Sequence, residues 1–327
     1  MATMQAVQCV QWGSPSTLVV GDTARPEPKP GEVLIRVAAA GVNFPDALIV
    51  QRKYQLQPPL PFVPGTEVAG TVEAVGEGVT QPKAGSRVVA FVGIGGFAQY
   101  VCADARQVLP LPDGLDEAVA AAFTLAYATA HHALIERGQL KRSETLLVLG
   151  AGGGVGLAAV EIAKIIGARV LAAASTDEKL AAAHAAGADA LINYSQVELR
   201  DAIKTLTEGK GVDVIYDPVG GDYTETALRS IAWRGRLLVV GFANGPIPQI
   251  PANLLLLKGA SAVGVFWGEF AKREPAANAL MLQSLYGWLV QGKLRPHVSR
   301  VVGLAEVPQV LEDLLQRRVV GKVVVRP

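Results

Sequence analysis

A cluster of glycines closes an apolar run and opens a helical pattern: Leu146-Leu147-Val148-Leu149-Gly150-Ala151-Gly152-Gly153-Gly154-Val155-Gly156, then Leu157 to Ile166. A chain that leaves a buried strand this way must turn tightly, bring its backbone up to a pyrophosphate, and pack the helix on the strand. Ala151, Gly153 and Gly156 take the three small-residue positions that those demands require. The free N–H groups and positive dipole end of the helix then hold phosphate. The chemistry implied is that of a dinucleotide cofactor. An NAD site usually presents an acid at the end of the second strand, about 20 residues on. Here that strand ends Leu171-Ala172-Ala173-Ala174-Ser175-Thr176 without one. Ser175 and Lys179 offer a hydroxyl and a cation to a 2′-phosphate instead, so NADPH is the expected cofactor. Asp177 and Glu178 stand close enough to keep NAD as an alternative, and Lys179 also reads as a solvated helix residue.

The elements around this motif alternate. Strands are expected at Thr145–Leu149, Arg169–Ala174, Val212–Tyr216, Arg236–Val240 and Ala260–Phe266. Helices are expected at Gly154–Gly167, Asp177–Ala186 and near Tyr223–Ile231. Such a β-α alternation with continuously apolar strands specifies a doubly wound parallel sheet, a Rossmann domain in an α/β protein. Before it, short runs such as Val33–Val37 and Ala69–Val75, punctuated by Lys29-Pro30-Gly31 and Gly76-Glu77-Gly78, read as an irregular barrel or sandwich. Asp116–Arg137 reads as one Ala-rich helix stopped by Gly138. A helix from Pro275 to Gln291 and a strand from Gly321 to Val325 follow the alternation.

Composition narrows the function classes. The chain has 327 residues, half of them apolar, and a net charge of +1, which recommends neither nucleic acid nor an anionic membrane as partner. No apolar run approaches the ~18 residues of a membrane span, and the first residues lack a signal peptide's basic and apolar regions. The two cysteines, Cys9 and Cys102, have no CxxC spacing, and a reduced, cytoplasmic protein is expected. His131 and His132 are adjacent on a helix, point about 100° apart, and so share no metal face. They, His184 and His297 read as structural, and no Ser/His/Asp or Cys/His constellation suggests hydrolysis.

Several segments together resemble the medium-chain dehydrogenase/reductase superfamily, in its zinc-free quinone oxidoreductase branch. They are Pro30-Gly31-Glu32-Val33-Leu34-Ile35, Ala40-Gly41-Val42-Asn43-Phe44-Pro45-Asp46, Pro64-Gly65-Thr66-Glu67-Val68-Ala69-Gly70, the glycine cluster, and Gly321-Lys322-Val323-Val324-Val325. The resemblance implies a Rossmann domain, residues 126–266, inserted in a discontinuous GroES-like β-barrel catalytic domain, residues 1–125 and 267–327. It implies that Asn43 lies beside the nicotinamide ribose or substrate, Thr129 near the nicotinamide, and Gly153, Gly154 and Val155 at the pyrophosphate. It also assigns Ser175, Lys179 and Tyr194 to the 2′-phosphate pocket, Gly241, Phe242, Phe266 and Trp267 to the nicotinamide face, and Lys322 to a position near the cofactor. The zinc-dependent branch has a cysteine and a histidine where this chain has Asn43 and Thr66, and a four-cysteine lobe that is absent here. Glu67 alone is a poor zinc site, so no metal is expected.

Without a Lewis acid the acceptor must take hydride readily, as quinones and α,β-unsaturated carbonyls do, and protein donors must stabilise the oxygen that gains charge. The Asn43 amide and the Tyr54 hydroxyl are the candidate catalytic donors. Their structural readings are a turn cap and a packing residue, and Asp46 reads as a helix N-cap. An enoyl-thioester reductase is an alternative, with Arg52, Lys53, Lys272 and Arg273 as a basic entrance. So is a non-catalytic NADPH-binding protein. Ala260–Phe266, apolar and uncharged, is the expected edge of the nucleotide-binding sheet. Pairing with its two-fold mate would make a homodimer, the assembly that the family implies, unless a loop covers it.

Overall fold

The computed structural model describes residues 2–327. The chain divides into two compact units, one from the N-terminus to Leu125 together with Val298–Pro327, the other Ala126–His297. The first unit carries a seven-stranded sheet. Its order is Val298–Val302, Lys322–Val325, Glu32–Gly41, Glu67–Val75, Arg87–Phe91 and Val108–Pro110, with Tyr100–Asp104 also paired to Glu32–Gly41. Every pairing is antiparallel except that of Val298–Val302 with Lys322–Val325. The last strand of the chain is thereby stitched beside one of the first, which makes this unit discontinuous in sequence. Gly70 permits the close approach of its two long strands, since a Cβ there would meet the Arg36 carbonyl oxygen at 2.2 Å. Ile35, Val68, Phe97 and Ile49 fill the core beneath the sheet.

The second unit holds six parallel strands in the order Ala190–Asn193, Arg169–Ala174, Thr145–Leu149, Val212–Asp217, Ile231–Val239, Ser261–Gly264. Leu146 to Leu149 and Val170 to Ala174 are all fully buried, as strands covered by helices on both faces must be. Order reverses between Thr145–Leu149 and Val212–Asp217, and a sheet of this kind binds ligands in the crevice at such a reversal. Among the described residues, no helix is long and apolar enough to cross a membrane.

The sequence reading needs four corrections. Residues 267–297, expected in the catalytic domain, belong to the nucleotide-binding unit. Trp267, Phe270 and five residues of helix Pro275–Val290 are buried there, Phe270 stacks on His132 at 4.4 Å, and the Arg295 N–H donates to Glu161. The expected helix Asp116–Arg137 is instead three pieces, Glu117–Ala121, Thr124–His131 and a π-helical turn, His132–Arg137. Gly138 closes that turn with a bond from its N–H to the Ala133 carbonyl. The helix near Tyr223 ends at Leu228, and Ile231 already opens a strand whose register shifts against its neighbour. The strand Ala190–Asn193 and the helices Leu199–Leu206 and Ala252–Lys258 carried too little uniform apolar pattern to be anticipated.

Candidate active site

In the first unit, chemistry-bearing side chains from four distant segments meet. Glu32–Gly41 ends on Gly41, where a Cβ would lie 2.1 Å from the Ala121 carbonyl oxygen and 2.6 Å from Glu67 Oε1. This missing side chain lets Glu67, which begins the neighbouring strand, reach across to the residues that follow. Asn43 caps helix Phe44–Val50, and Asp46 is that helix's third residue rather than its cap. The Asn43 N–H donates to Asp46 Oδ2 at 2.7 Å, while the Asp46 N–H donates to the Asn43 carbonyl. The Asn43 side-chain amide donates to Glu67 Oε1 at 2.9 Å, Thr66 Oγ1 at 3.1 Å and Gly41 O at 3.3 Å. The Lys322 ammonium comes from the last strand and donates to Val42 O and Glu67 Oε1, each at 3.0 Å, and to Asn43 Oδ1. Glu67 Oε2 accepts the Leu125 N–H, at the first turn of helix Thr124–His131.

All five side chains are buried, and the Lys322–Glu67 ion pair is 6% and 2% exposed. Desolvation of two charges is repaid only when their remaining hydrogen-bonding capacity is filled, and both ions here are multiply bonded. Asp46 differs. Burial, opposed by the Asn43 N–H and the Lys322 charge, lifts its carboxyl from 3.8 to about 7. Among the described residues its Oδ1 has no hydrogen-bond partner, while a bond from the Thr66 hydroxyl to the carboxyl works against the effect of burial. Tyr54, expected as a donor, packs half-buried against the unit's core, and burial followed by the charge of Asp46 raises its phenol.

Two of the expected residues are already bonded to protein atoms in this geometry. Asn43 has two amide hydrogens and three protein acceptors around them, so its amide holds the cluster together and is not free for a substrate oxygen. Lys322, expected near the cofactor, has its three hydrogens committed to protein oxygens. Sequence reasoning had passed over Asp46 as a cap and Thr66 and Glu67 as departures from a zinc pattern. The signal available was their place in the two short motifs, Asn43-Phe44-Pro45-Asp46 and Gly65-Thr66-Glu67.

In the second unit, Gly150 turns the chain at φ +60° and Gly153 caps helix Gly154–Ile166. Gly156 is obligatory for the packing of that helix: a Cβ would stand 2.4 Å from the Gly150 carbonyl oxygen and 2.8 Å from Ala151 Cα. Gly152 is the seat of Lys179, whose Cβ would be 2.4 Å from an added methyl. A Cβ on Gly153 would meet only the Gly150 oxygen at 3.5 Å, and the helix that starts beyond it offers N–H groups of the kind that bind anions. Lys179 Nζ donates to Ser175 Oγ at 3.3 Å, which brings together the two groups expected to read a 2′-phosphate. Asp177, the acid that kept NAD open, is engaged by the Asn193 amide at 2.6 Å and by Gln196 at 3.4 Å. Tyr194 packs on Tyr223 with ring centroids 4.4 Å apart, beside the same strand ends.

The other expected residues of this unit are spread more widely. Thr129 is half-buried on helix Thr124–His131. Gly241 donates its N–H to the Asp217 carbonyl, and the Phe242 ring lies against Gly220. Phe266 is 46% exposed. Trp267 is in the core, its indole N–H bonded to Asn278 Oδ1 at 2.9 Å, so its evident task is structural.

Comparison with known proteins agrees with this division. Residues 29–113 match the family model described as the alcohol dehydrogenase GroES-like domain, and residues 154–283 match the one described as zinc-binding dehydrogenase. A quinone oxidoreductase-like protein 2 homolog of Nematostella vectensis is 40% identical over 325 residues, covering 98% of this chain and 88% of that one. The Escherichia coli quinone oxidoreductase, solved with NADPH, superposes with a TM-score of 0.92 at 29% identity over 100% of both chains. A mycobacterial protein solved with NADPH gives 0.93 at 34% identity, over 99% of this chain and 100% of that one. The zinc in the family description does not fit the residues found here. An amide and a hydroxyl stand where thiolate and imidazole are needed, and the Lys322 cation is bonded to the one carboxylate at hand. Among the described residues, no three His, Cys, Asp or Glu side chains form a metal-holding group.

Proposed function

We propose that this chain, which belongs to the quinone-oxidoreductase-like branch of the medium-chain dehydrogenase/reductase superfamily, is an NADPH-dependent reductase of quinones and α,β-unsaturated carbonyls that works without zinc. The observation that carries the reading is the pairing of Lys179 with Ser175 beside Gly152, at the strand end next to the pyrophosphate loop. A cation and a hydroxyl at that place suit a 2′-phosphate, and the nearby Asp177 is already occupied. The loop from Gly150 to Gly156 holds the pyrophosphate on backbone N–H groups, with Gly153, Gly154 and Val155 at the helix start. When bound, the cofactor supplies a hydride from its nicotinamide C4.

The residues of the first unit then have an electrostatic task. Hydride arriving at a conjugated carbon sends charge to an oxygen, and a fixed, water-poor set of dipoles stabilises that charge more than water does. The buried cluster of Asn43, Thr66, Glu67 and Lys322 supplies the rigidity such a site requires. Tyr54 stands as a hydroxyl donor on the same unit, and Thr129, Gly241, Phe242 and Phe266 remain the residues proposed for the nicotinamide side.

We read the assembly as a homodimer in the cytoplasm. Ser261–Gly264 is the edge strand of its sheet, and the apolar residues around it lie open, with Trp233 66%, Leu256 78% and Leu257 67% exposed. An uncharged edge with an apolar surround is a pairing surface. The two free cysteines, one buried and one half-buried, suit a reducing compartment. The test of function is NADPH oxidation against a panel of quinones and enones, with and without a strong zinc chelator. Turnover that is indifferent to the chelator and prefers NADPH supports the proposal. Tight NADPH binding with no turnover of any acceptor refutes it in favour of a non-catalytic binding protein.

A further inference from the structure

The first turn of helix Asp177–Ala185 carries opposite charges on Asp177 and Lys179, and two steps along a helix turn them about 200° apart. Lys179 is turned toward the glycine loop. Its stem fills the space beside Gly152, where an added Cβ would stand 2.4 Å from Lys179 Cβ, and its ammonium donates to Ser175 Oγ at 3.3 Å. Asp177 is turned toward the residues that end the neighbouring strand Ala190–Asn193. Glu178, between them, is exposed to solvent. Asp177 follows closely on the end of strand Arg169–Ala174, near where an NAD-binding chain keeps the acid that takes the ribose 2′-hydroxyl.

What holds that carboxylate comes from the third strand. Ala190–Asn193 runs parallel to Arg169–Ala174 with Asn193 level with Ala174, so both strands end at the same height. The two turns beyond them are stitched together: the Tyr194 N–H donates to the Ala174 carbonyl at 3.2 Å and Ser195 Oγ donates to the Ser175 carbonyl at 3.0 Å. Asn193 closes a side-chain turn of the kind asparagine favours, its Oδ1 accepting the Ser195 N–H at 3.1 Å. That bond fixes the orientation of the amide, so Nδ2 faces the other way and donates to Asp177 Oδ1 at 2.6 Å. Gln196 Nε2 reaches Asp177 Oδ2 at 3.4 Å. Both carboxylate oxygens are engaged by amides of one turn.

We propose that Asn193, assisted by Gln196, is a positioning residue that sets cofactor choice. It holds the Asp177 carboxylate on the third-strand side of the helix and keeps it from the ribose 2′-position, which is left to Ser175 and Lys179. The inference rests on the NADPH reading above and deepens it by naming what withholds the acid that NADH would use. A carboxylate at the 2′-position discriminates in both directions: it accepts a hydrogen bond from a 2′-hydroxyl and repels a 2′-phosphate. Tied down by two amides, Asp177 does neither, and the amides add no charge of their own beside Lys179.

The experiment measures the Kd of NADPH and of NADH by fluorescence titration of the full-length chain, with no acceptor present. The variants are Asn193→Ser with Gln196→Ala, which releases Asp177 while a serine hydroxyl can still close the turn; Asp177→Asn; and the three substitutions together. Wild type should prefer NADPH. The release variant should lose about tenfold or more of that preference, the scale of a lost hydrogen bond to a charged group, with NADPH bound more weakly and NADH unchanged or tighter. Asp177→Asn alone should keep the preference within a few-fold, because its carboxylate is already held. In the triple variant the preference should return, because no carboxylate remains to be released. A merely structural Asn193 would weaken both cofactors together, and removing the carboxylate would restore neither. A release variant that keeps the wild-type preference overturns the proposal alone, as does an equal loss for both cofactors that Asp177→Asn fails to repair. A wild type that binds NADH as tightly as NADPH overturns this proposal and the NADPH reading together.

Discussion

Replacing Asp46 with asparagine removes an ionisable group from a cluster that otherwise balances one cation, Lys322, against one anion, Glu67. The folded-state carboxyl sits at about 7 against 3.8 unperturbed, raised first by burial. The sign follows from proton counting. Between these two values the native state binds more protons than the unfolded chain, so stability falls as pH rises from about 4, and it levels off above about 7. At ~1.36 kcal/mol per pH unit, the loss over that window is roughly 4 kcal/mol. Asparagine keeps an oxygen to accept the Asn43 N–H but cannot ionise. Its amide hydrogens will cost about 1–3 kcal/mol if they find no acceptor, and that cost does not depend on pH. The wild-type-minus-variant stability should therefore change by about 3–4 kcal/mol between pH 4.5 and pH 8.5, in favour of the variant at high pH. Urea unfolding of the cofactor-free protein, followed by circular dichroism across this range, measures it. Two stability curves that run parallel in pH would show that Asp46 is not a buried acid with a raised pKa.

Three further outcomes follow from the same geometry. Lys322→Met leaves the Glu67 carboxylate buried without its cation and should destabilise by about 3–5 kcal/mol; adding Glu67→Gln should recover much of it, as a double-mutant cycle in urea would show. Gly156→Ala forces a methyl to within 2.4 Å of the Gly150 carbonyl oxygen and should cost at least tenfold in NADPH affinity by fluorescence titration; an unchanged affinity would show that the loop gives way without moving its phosphate-binding N–H groups. Lys179→Ala should weaken NADPH by about 1–3 kcal/mol and leave NADH almost unchanged; equal losses for both would remove Lys179 from the 2′-phosphate.

The cofactor loop was legible because its determinants are local. A strand, a glycine turn and a helix occupy consecutive residues, and Gly156 answers a steric demand from Gly150 and Ala151, a few positions away. Ser175 and Lys179 were legible for the same reason, being one helical turn apart at a strand end. The cluster around Asn43 was not, because Lys322 meets Asn43 across 279 residues and only the pairing of the last strand with Glu32–Gly41 brings them together. The resemblance alone places that lysine near the cofactor. In the fold, that lysine is the counter-ion of Glu67, and the burial that imposes this pairing is a property of the assembled sheet. Residues 267–297 escaped for a related reason: after the sixth strand the β-α rhythm stops, which reads as a change of domain. What assigns the segment is which core Phe270, Leu285 and Tyr286 enter, and the apolar pattern of a helix states that it will be buried without stating against what. The same limit explains Thr66 and Asp46. Their residue types and motif positions are visible in the chain, but that both are buried and both are held by Asn43 shows only once the strands have assembled.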